Sequence, residues 1–316
     1  MKKKIYTPVK PARSYEEQAR RLTDLHGLQI DDLQKAHRIL STVNYYRLTT
    51  YGKHLRCEED PERFLPGVSL DTLYALYQFD MGLRHLLLPV LEFFEVQLRA
   101  KIAYHLAITY GSLGYMEEEN FRALTLPNGS LIHRNLMGKF KSEVRRQRSL
   151  PFVRHHNAKY GGKFPIWAAV ELFTFGMLAS LYEIMREADQ RAVSRDYGIK
   201  PEALSRLISA SVNVRNICAH YNRLYNQPLA EQPDLPPNLR AYESDRLFPL
   251  LLALRSVCGR ERVYGQLVRG IAQLAEDFPE ADLSLCGFPP EWKRLLSGAM
   301  VAEERGPSMD DSKKME

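Results

Sequence analysis

Residues 69–106 read SLDTLYALYQFDMGLRHLLLPVLEFFEVQLRAKIAYHL, and their apolar positions decide the fold class. Leu73, Leu76 and Tyr77, then Leu83, Leu87, Val90, Leu91, Phe94, Leu98, Ile102, His105 and Leu106, fall at 3- and 4-residue steps. That repeat marks one face of a long helix. Ser69-Leu70-Asp71 starts the run. Pro89 brings no amide donor, so the pattern predicts a kink or a break there. Gly111 and Gly114 predict where the helix ends.

The same period recurs outward in both directions. Residues 14–26 open with Ser14 three before Glu17, the spacing of a capping box. Asp31 or Asp32 is placed to cap a second short helix running into His37–Leu40. Further helical patterns cover about 131–148, 166–187, 201–217, 244–258 and 260–277. Strand signals are poor, because the lone Asn128-Gly129 pair lacks flanking alternation and sits beside a proline. No glycine-rich dinucleotide fingerprint, phosphate-binding loop or H-E-x-x-H motif occurs, which argues against those enzyme classes. The reading is an all-α fold.

Gln227–Asn238 holds four prolines and cannot be helix interior. It marks a boundary between a helical core over 67–230 and a C-terminal helical extension over 231–301. An N-terminal helical segment over 1–66 precedes the core. The tail, 302–316, is charged with almost no apolar residue and reads as disordered.

The chain of 316 residues is 45% hydrophobic and 26% charged, so it has the material for a sizeable core. No apolar run is long enough to span a bilayer, and no apolar stretch follows the basic Met1–Tyr6 as a secretory signal would require. These features predict a cytoplasmic protein with no membrane partner. Lys and Arg number 44 against 38 Asp and Glu, a net +6 that suits a polyanion partner without demanding one. Cys57, Cys218, Cys258 and Cys286 are scattered with no C-x-x-C pair. They predict buried thiols rather than a metal site or a disulfide framework, and no metal or cofactor is expected.

The chemistry concentrates in Ser209–Asn226, SASVNVRNICAHYNRLYN. Asn213, Arg215, Asn216, His220, Asn222, Arg223 and Asn226 crowd into fourteen residues, more polar groups than a buried helix readily satisfies. Arg215 and His220 are five residues apart. Five steps of about 100° leave their side chains about 140° apart on a regular helix. They converge only if the helix ends between them or if a second copy of the site faces the first. In the plainer reading they are cations at a helix C-terminus, where the macrodipole favours them.

R-N-x-x-A-H over Arg215–His220 is similar to the R-x4-H signature of the HEPN superfamily of α-helical ribonucleases, with Asn216 as the common polar residue after the arginine. Leu40–Leu48, containing Asn44-Tyr45-Tyr46-Arg47-Leu48, resembles a segment of the Abi family of bacterial phage-defence proteins, the AbiD/AbiF-like group. Phe64, Gly67–Ser69 and Leu73–Arg84 resemble that family's next block, and Arg215–Asn226 its third, in the same order. The resemblance covers roughly residues 14–230. It implies a HEPN-like helical bundle with additional N- and C-terminal helices, and metal-independent RNA cleavage. Arg215, Asn216 and His220 would be catalytic, in a site shared by two chains of a homodimer. Asn222 stands where many HEPN toxins carry a tyrosine, with Tyr221 beside it. AbiF-like relatives are associated with a small non-coding RNA, which the resemblance adds as a possible partner.

A basic run offers a path for RNA: Lys139, Lys141, Arg145, Arg146, Arg148, Arg154, His155, His156, Lys159 and Lys163, with Glu143 its lone acid. Phe140, Phe152 and Tyr160 are interleaved as stacking platforms would be, and Asn222 and Arg223 extend the RNA-binding set. The alternative is a solvated helix face. Asn44–Arg47 reads as packing of the N-terminal helices, Glu92, Glu95 and Arg99 as a buried ion pair, and His85 and His105 as core histidines. A non-catalytic RNA-binding scaffold remains a competing function for the same fold.

Overall fold

The computed structural model describes residues 11–297. Ser69 caps the long helix, its hydroxyl accepting from the Thr72 amide at 3.1 Å. The helix α4 then runs unbroken from Leu70 to Tyr110 and stops at Gly111, whose φ of 78° needs glycine. Its 41 residues make a rod about 60 Å long. Pro89 does not break it: the ring lies on the exposed side, where the lost amide bond leaves no buried carbonyl stranded.

The apolar stripe of α4 organises everything else. Leu76, Phe79, Leu83, Leu87, Val90, Leu91, Phe94, Leu98 and Ile102 are fully buried. Around them pack α7 (Ile166–Ala169), α8 (Phe175–Ile184), α9 (Glu187–Arg195), α10 (Pro201–Ala219), α11 (Phe248–Cys258) and α12 (Arg262–Asp277). The approach of α12 is close, because a Cβ on Gly270 would stand 2.4 Å from Leu86 and one on Gly82 would stand 2.6 Å from Leu274. The C-terminal helices α11 and α13 (Trp292–Ser297) contribute to this same core. A smaller core gathers α1 (Tyr15–Asp24), α2 (Leu33–Thr42) and α3 (Tyr45–Thr49) over the first turns of α4, around Leu22, Leu28, Ile39, Leu48, Phe64 and Leu73.

The Ser14–Glu17 capping box is present, and of the two candidate aspartates it is Asp32 that caps α2. Among the described residues there is no strand, only isolated bridges such as Gln29–Ser69. The fold is all-α.

Three expectations change. Residues 166–187 do not form one helix: α7 passes into a 3₁₀ turn at Val170–Leu172, and Thr174 starts α8 by accepting from the Met177 amide. Four helices were not read: the short α3 and α13, and α6 (Pro151–Tyr160) and α9, which flank α5 (Ile132–Arg146) and α8. His85 is exposed rather than a core histidine. His105 is half-buried, bonded through Nε2 to Asp189 at 2.8 Å. Cys218, Cys258 and Cys286 are buried as expected, whereas Cys57 is only partly so. The 302–316 tail and the Met1–Tyr6 segment lie outside the described residues.

Candidate active site

The site is built on how α10 ends. The helix is regular through Ala219, His220 is its C-cap at φ −95°, and Tyr221 turns left-handed at φ 58°. The Asn222 amide donates back to the Ile217 carbonyl at 3.0 Å and the Tyr221 amide to Cys218 at 3.2 Å. That pair of bonds is a Schellman closure, normally made with glycine in the left-handed position. A tyrosine there costs roughly 1–2 kcal/mol, so the surrounding contacts must impose it.

They do so from two directions. Arg47 of α3 donates from Nη1 to the Tyr221 carbonyl. Arg84 of α4 donates to the Asn222 carbonyl at 3.0 Å. Asp80, fully buried one turn before Arg84, accepts the amides of Leu224 at 3.0 Å and Tyr225 at 2.7 Å on one oxygen. Its other oxygen takes the Tyr51 hydroxyl at 2.7 Å and lies 3.6 Å from Arg84 Nε. Arg223 spans the same gap, reaching the Thr50 carbonyl at 2.9 Å and Gln227 at 2.7 Å. Burial pushes the Asp80 carboxyl above its ordinary range, and Arg84, Tyr51 and the two amides pull the other way. Burial and the Asp80 charge raise the Tyr51 phenol, and burial pushes the Cys218 thiol up to about 12. The three sequence blocks over Leu40–Leu48, Leu73–Arg84 and Arg215–Asn226 therefore meet in one polar brace.

Arg215 is aimed by a different set. Its Nη1 donates to Asn216 Oδ1 at 2.9 Å, its Nη2 lies 3.5 Å from Glu95, and its guanidinium sits 5.7 Å from the Phe175 ring centroid. Its Nε is buried with no partner. The Glu95–Arg99 ion pair is formed at 2.6 Å, and Arg215 joins it, whereas Glu92 is exposed and outside it. His220 and Asn222 are exposed, and neither side chain bonds another described residue. Because the helix stays regular up to His220, Arg215 and His220 remain on different faces, and Arg215's bonds go to Asn216 and Glu95.

The basic run lies on α5, α6 and the turns that follow them. Lys139, Lys141, Arg145, Arg146, Arg148, Arg154, His155, Lys159 and Lys163 are exposed. His156 is not free: its Nδ1 meets the Phe152 carbonyl at 2.8 Å and its ring stacks on Phe164. Phe140 is buried in the main core, so of the three interleaved aromatics only Tyr160 is open to solvent, with Phe152 half-covered. Arg146 is paired with Glu143 at 2.5 Å. No member of the run bonds Arg215 or His220 among the described residues. The Asn44–Arg47 block divides likewise. Tyr45 packs on the N-terminal core as expected, but Tyr46 is 78% exposed and Arg47 bonds the α10 loop.

Sequence reasoning missed Asp80, Arg84, Tyr51 and the Arg215–Glu95 contact. A carboxylate and a guanidinium four residues apart on the apolar face of α4 were the available signal, since buried charges must be paired.

No group of three or more His, Cys, Asp or Glu that could hold a metal occurs among the described residues. No helix among them is long and apolar enough to cross a membrane. No curated protein and no solved structure gives a match. The family model described as Abi-like protein matches residues 38–226, more than half of the chain and the whole span that contributes the Tyr221 brace. The chain therefore belongs to the Abi-like protein family, with a role in abortive infection.

Proposed function

We propose that this chain is an AbiD/AbiF-like HEPN ribonuclease that cuts RNA without a metal, using Arg215, Asn216 and His220. RNA carries its own nucleophile, the 2′-hydroxyl. His220 takes that proton or protonates the departing 5′-oxygen. Arg215 stays cationic and presents its planar fork to the phosphate, where negative charge grows in the transition state. Asn216, bonded to Arg215, holds that fork in place. The products are a 2′,3′-cyclic phosphate and a 5′-hydroxyl.

The observation that carries this reading is the state of the two side chains. Arg215 is anchored on three sides but keeps part of its guanidinium open, and His220 is exposed on a strained turn with no other engagement. Since they diverge within one chain, the working site is shared by two chains. An apolar surface beside Glu95 supports that pairing. Val96, Ala100, Tyr104 and Ile108 are exposed at 4-residue steps along α4, Val96 at 56% and Tyr104 and Ile108 at 72%. The exposed part of the basic run leads RNA in, and a small non-coding RNA is the proposed restraint on a toxic activity.

The test is cleavage of a labelled single-stranded RNA by His220→Ala and Arg215→Ala. Each should lose at least about 100-fold in rate, because acid–base help and charge stabilisation each contribute that much. Undiminished cleavage by the double variant would end the assignment.

A further inference from the structure

A cleft of about 420 Å³ opens between α3 and the loop that follows His220 at the end of α10. Asn44, Tyr46, Arg47 and Thr50 form one wall, and Asn222 and Arg223 the other. We propose that this cleft is a nucleobase subsite, which stacks one base of single-stranded RNA on Tyr46 and reads its edge with the Asn222 amide. The proposal rests on the ribonuclease reading and adds to it the feature of the substrate that the site selects.

Four observations carry it. Tyr46 is 78% exposed, so it contributes little to the core, yet its backbone is fixed because its amide donates to the Asn44 cap at 2.8 Å. A flat aromatic ring presented to solvent from a fixed backbone is a platform for an unpaired base. The Asn222 side chain is exposed with both its donor and its acceptor unengaged, while its own carbonyl is pinned by Arg84. An amide so placed bonds donor and acceptor positions of a base edge. Arg47 and Arg223 line the cleft and no carboxylate does, so a phosphodiester backbone meets favourable charge. Finally, Arg47 bonds the carbonyl of Tyr221, the residue next to His220. The platform and the histidine are thereby tied in register, and the stacked base belongs to a nucleotide flanking the bond that is cut.

The experiment is equilibrium binding of a short, mixed-sequence, single-stranded 2′-O-methyl RNA, which lacks the nucleophile and is not consumed. Tyr46→Ala should weaken binding roughly 5- to 100-fold, the range found when a stacking aromatic is removed, and Tyr46→Trp should retain it. Asn222→Ala should change which base is preferred. An abasic nucleotide is then moved along the same RNA. Wild type should lose affinity sharply at one position, and Tyr46→Ala should lose nothing further there. Equal affinity of wild type and Tyr46→Ala, or a loss that ignores the abasic position, would overturn the subsite while leaving the ribonuclease reading intact. Failure of the wild-type protein to bind any RNA would overturn both.

Discussion

Two residues carry unusual demands. Tyr221 holds a left-handed backbone where glycine is at home, although its side chain is 68% exposed. Replacing it by glycine relieves the steric cost but adds freedom to the unfolded chain. Tyr221→Gly should therefore raise stability by up to about 1 kcal/mol in thermal unfolding, and a fall would show that the exposed ring packs more than its area suggests. Asp80 is the opposite case. Asp80→Ala leaves Arg84 buried and unpaired and strands the Leu224 and Tyr225 amides. A loss of about 3–5 kcal/mol is expected from the urea midpoint, the usual cost of breaking a buried pair. In the sequence, Arg215 and His220 were legible because R-x4-H is local. Asp80 was not, since its partners lie 144 and 145 residues away and a polar residue on an apolar stripe does not reveal what it meets.

At the scale of elements, periodicity told most of the story for α4, α10, α11 and α12, whose apolar faces are long. It failed for α6 and α9. Residues 151–160 bury only Val153, and their charges read as a run rather than a face. In α9 the buried positions include Asp189, Gln190 and Ser194, which no hydrophobic pattern reports. Pro89 misled in the other direction, because tolerance of an interior proline depends on which side of the helix meets water, and period alone does not give that. The α4–α12 contact offers a clean test of packing. A Cβ at Gly270 meets only the flexible end of Leu86, so alanine can be absorbed by a rotamer change. Gly270→Val places a second branch in the same space and should destabilise by roughly 1–3 kcal/mol on chemical denaturation.

At the scale of the whole molecule, the proposed site demands pairing and a route for RNA. Sedimentation should give a dimer, and Val96→Lys should shift it to monomer and abolish cleavage together, because Val96 adjoins the Glu95 that aims Arg215. A monomer that still cuts would remove the shared site. The three arginines Arg145, Arg146 and Arg148 are exposed on the α5 end. Changing them to alanine should weaken RNA binding and flatten its salt dependence, since each phosphate contact releases counterions. An unchanged slope would return the basic run to an ordinary solvated surface.

The brace at Tyr221 also sets an order in time. The bond from Arg47 to Tyr221 joins residues 174 apart, and Thr50 meets Arg223 across 173. A ribosome delivers the N-terminal helices first, at several residues per second. Tyr51 and Asp80 are then in place with no loop to hold. Only when Tyr225 has emerged can the turn beside His220 take its strained shape. A chain cut short before Tyr225 carries the histidine's neighbours but no set turn, so on the proposed ribonuclease reading a truncated product is born without its cleaving geometry.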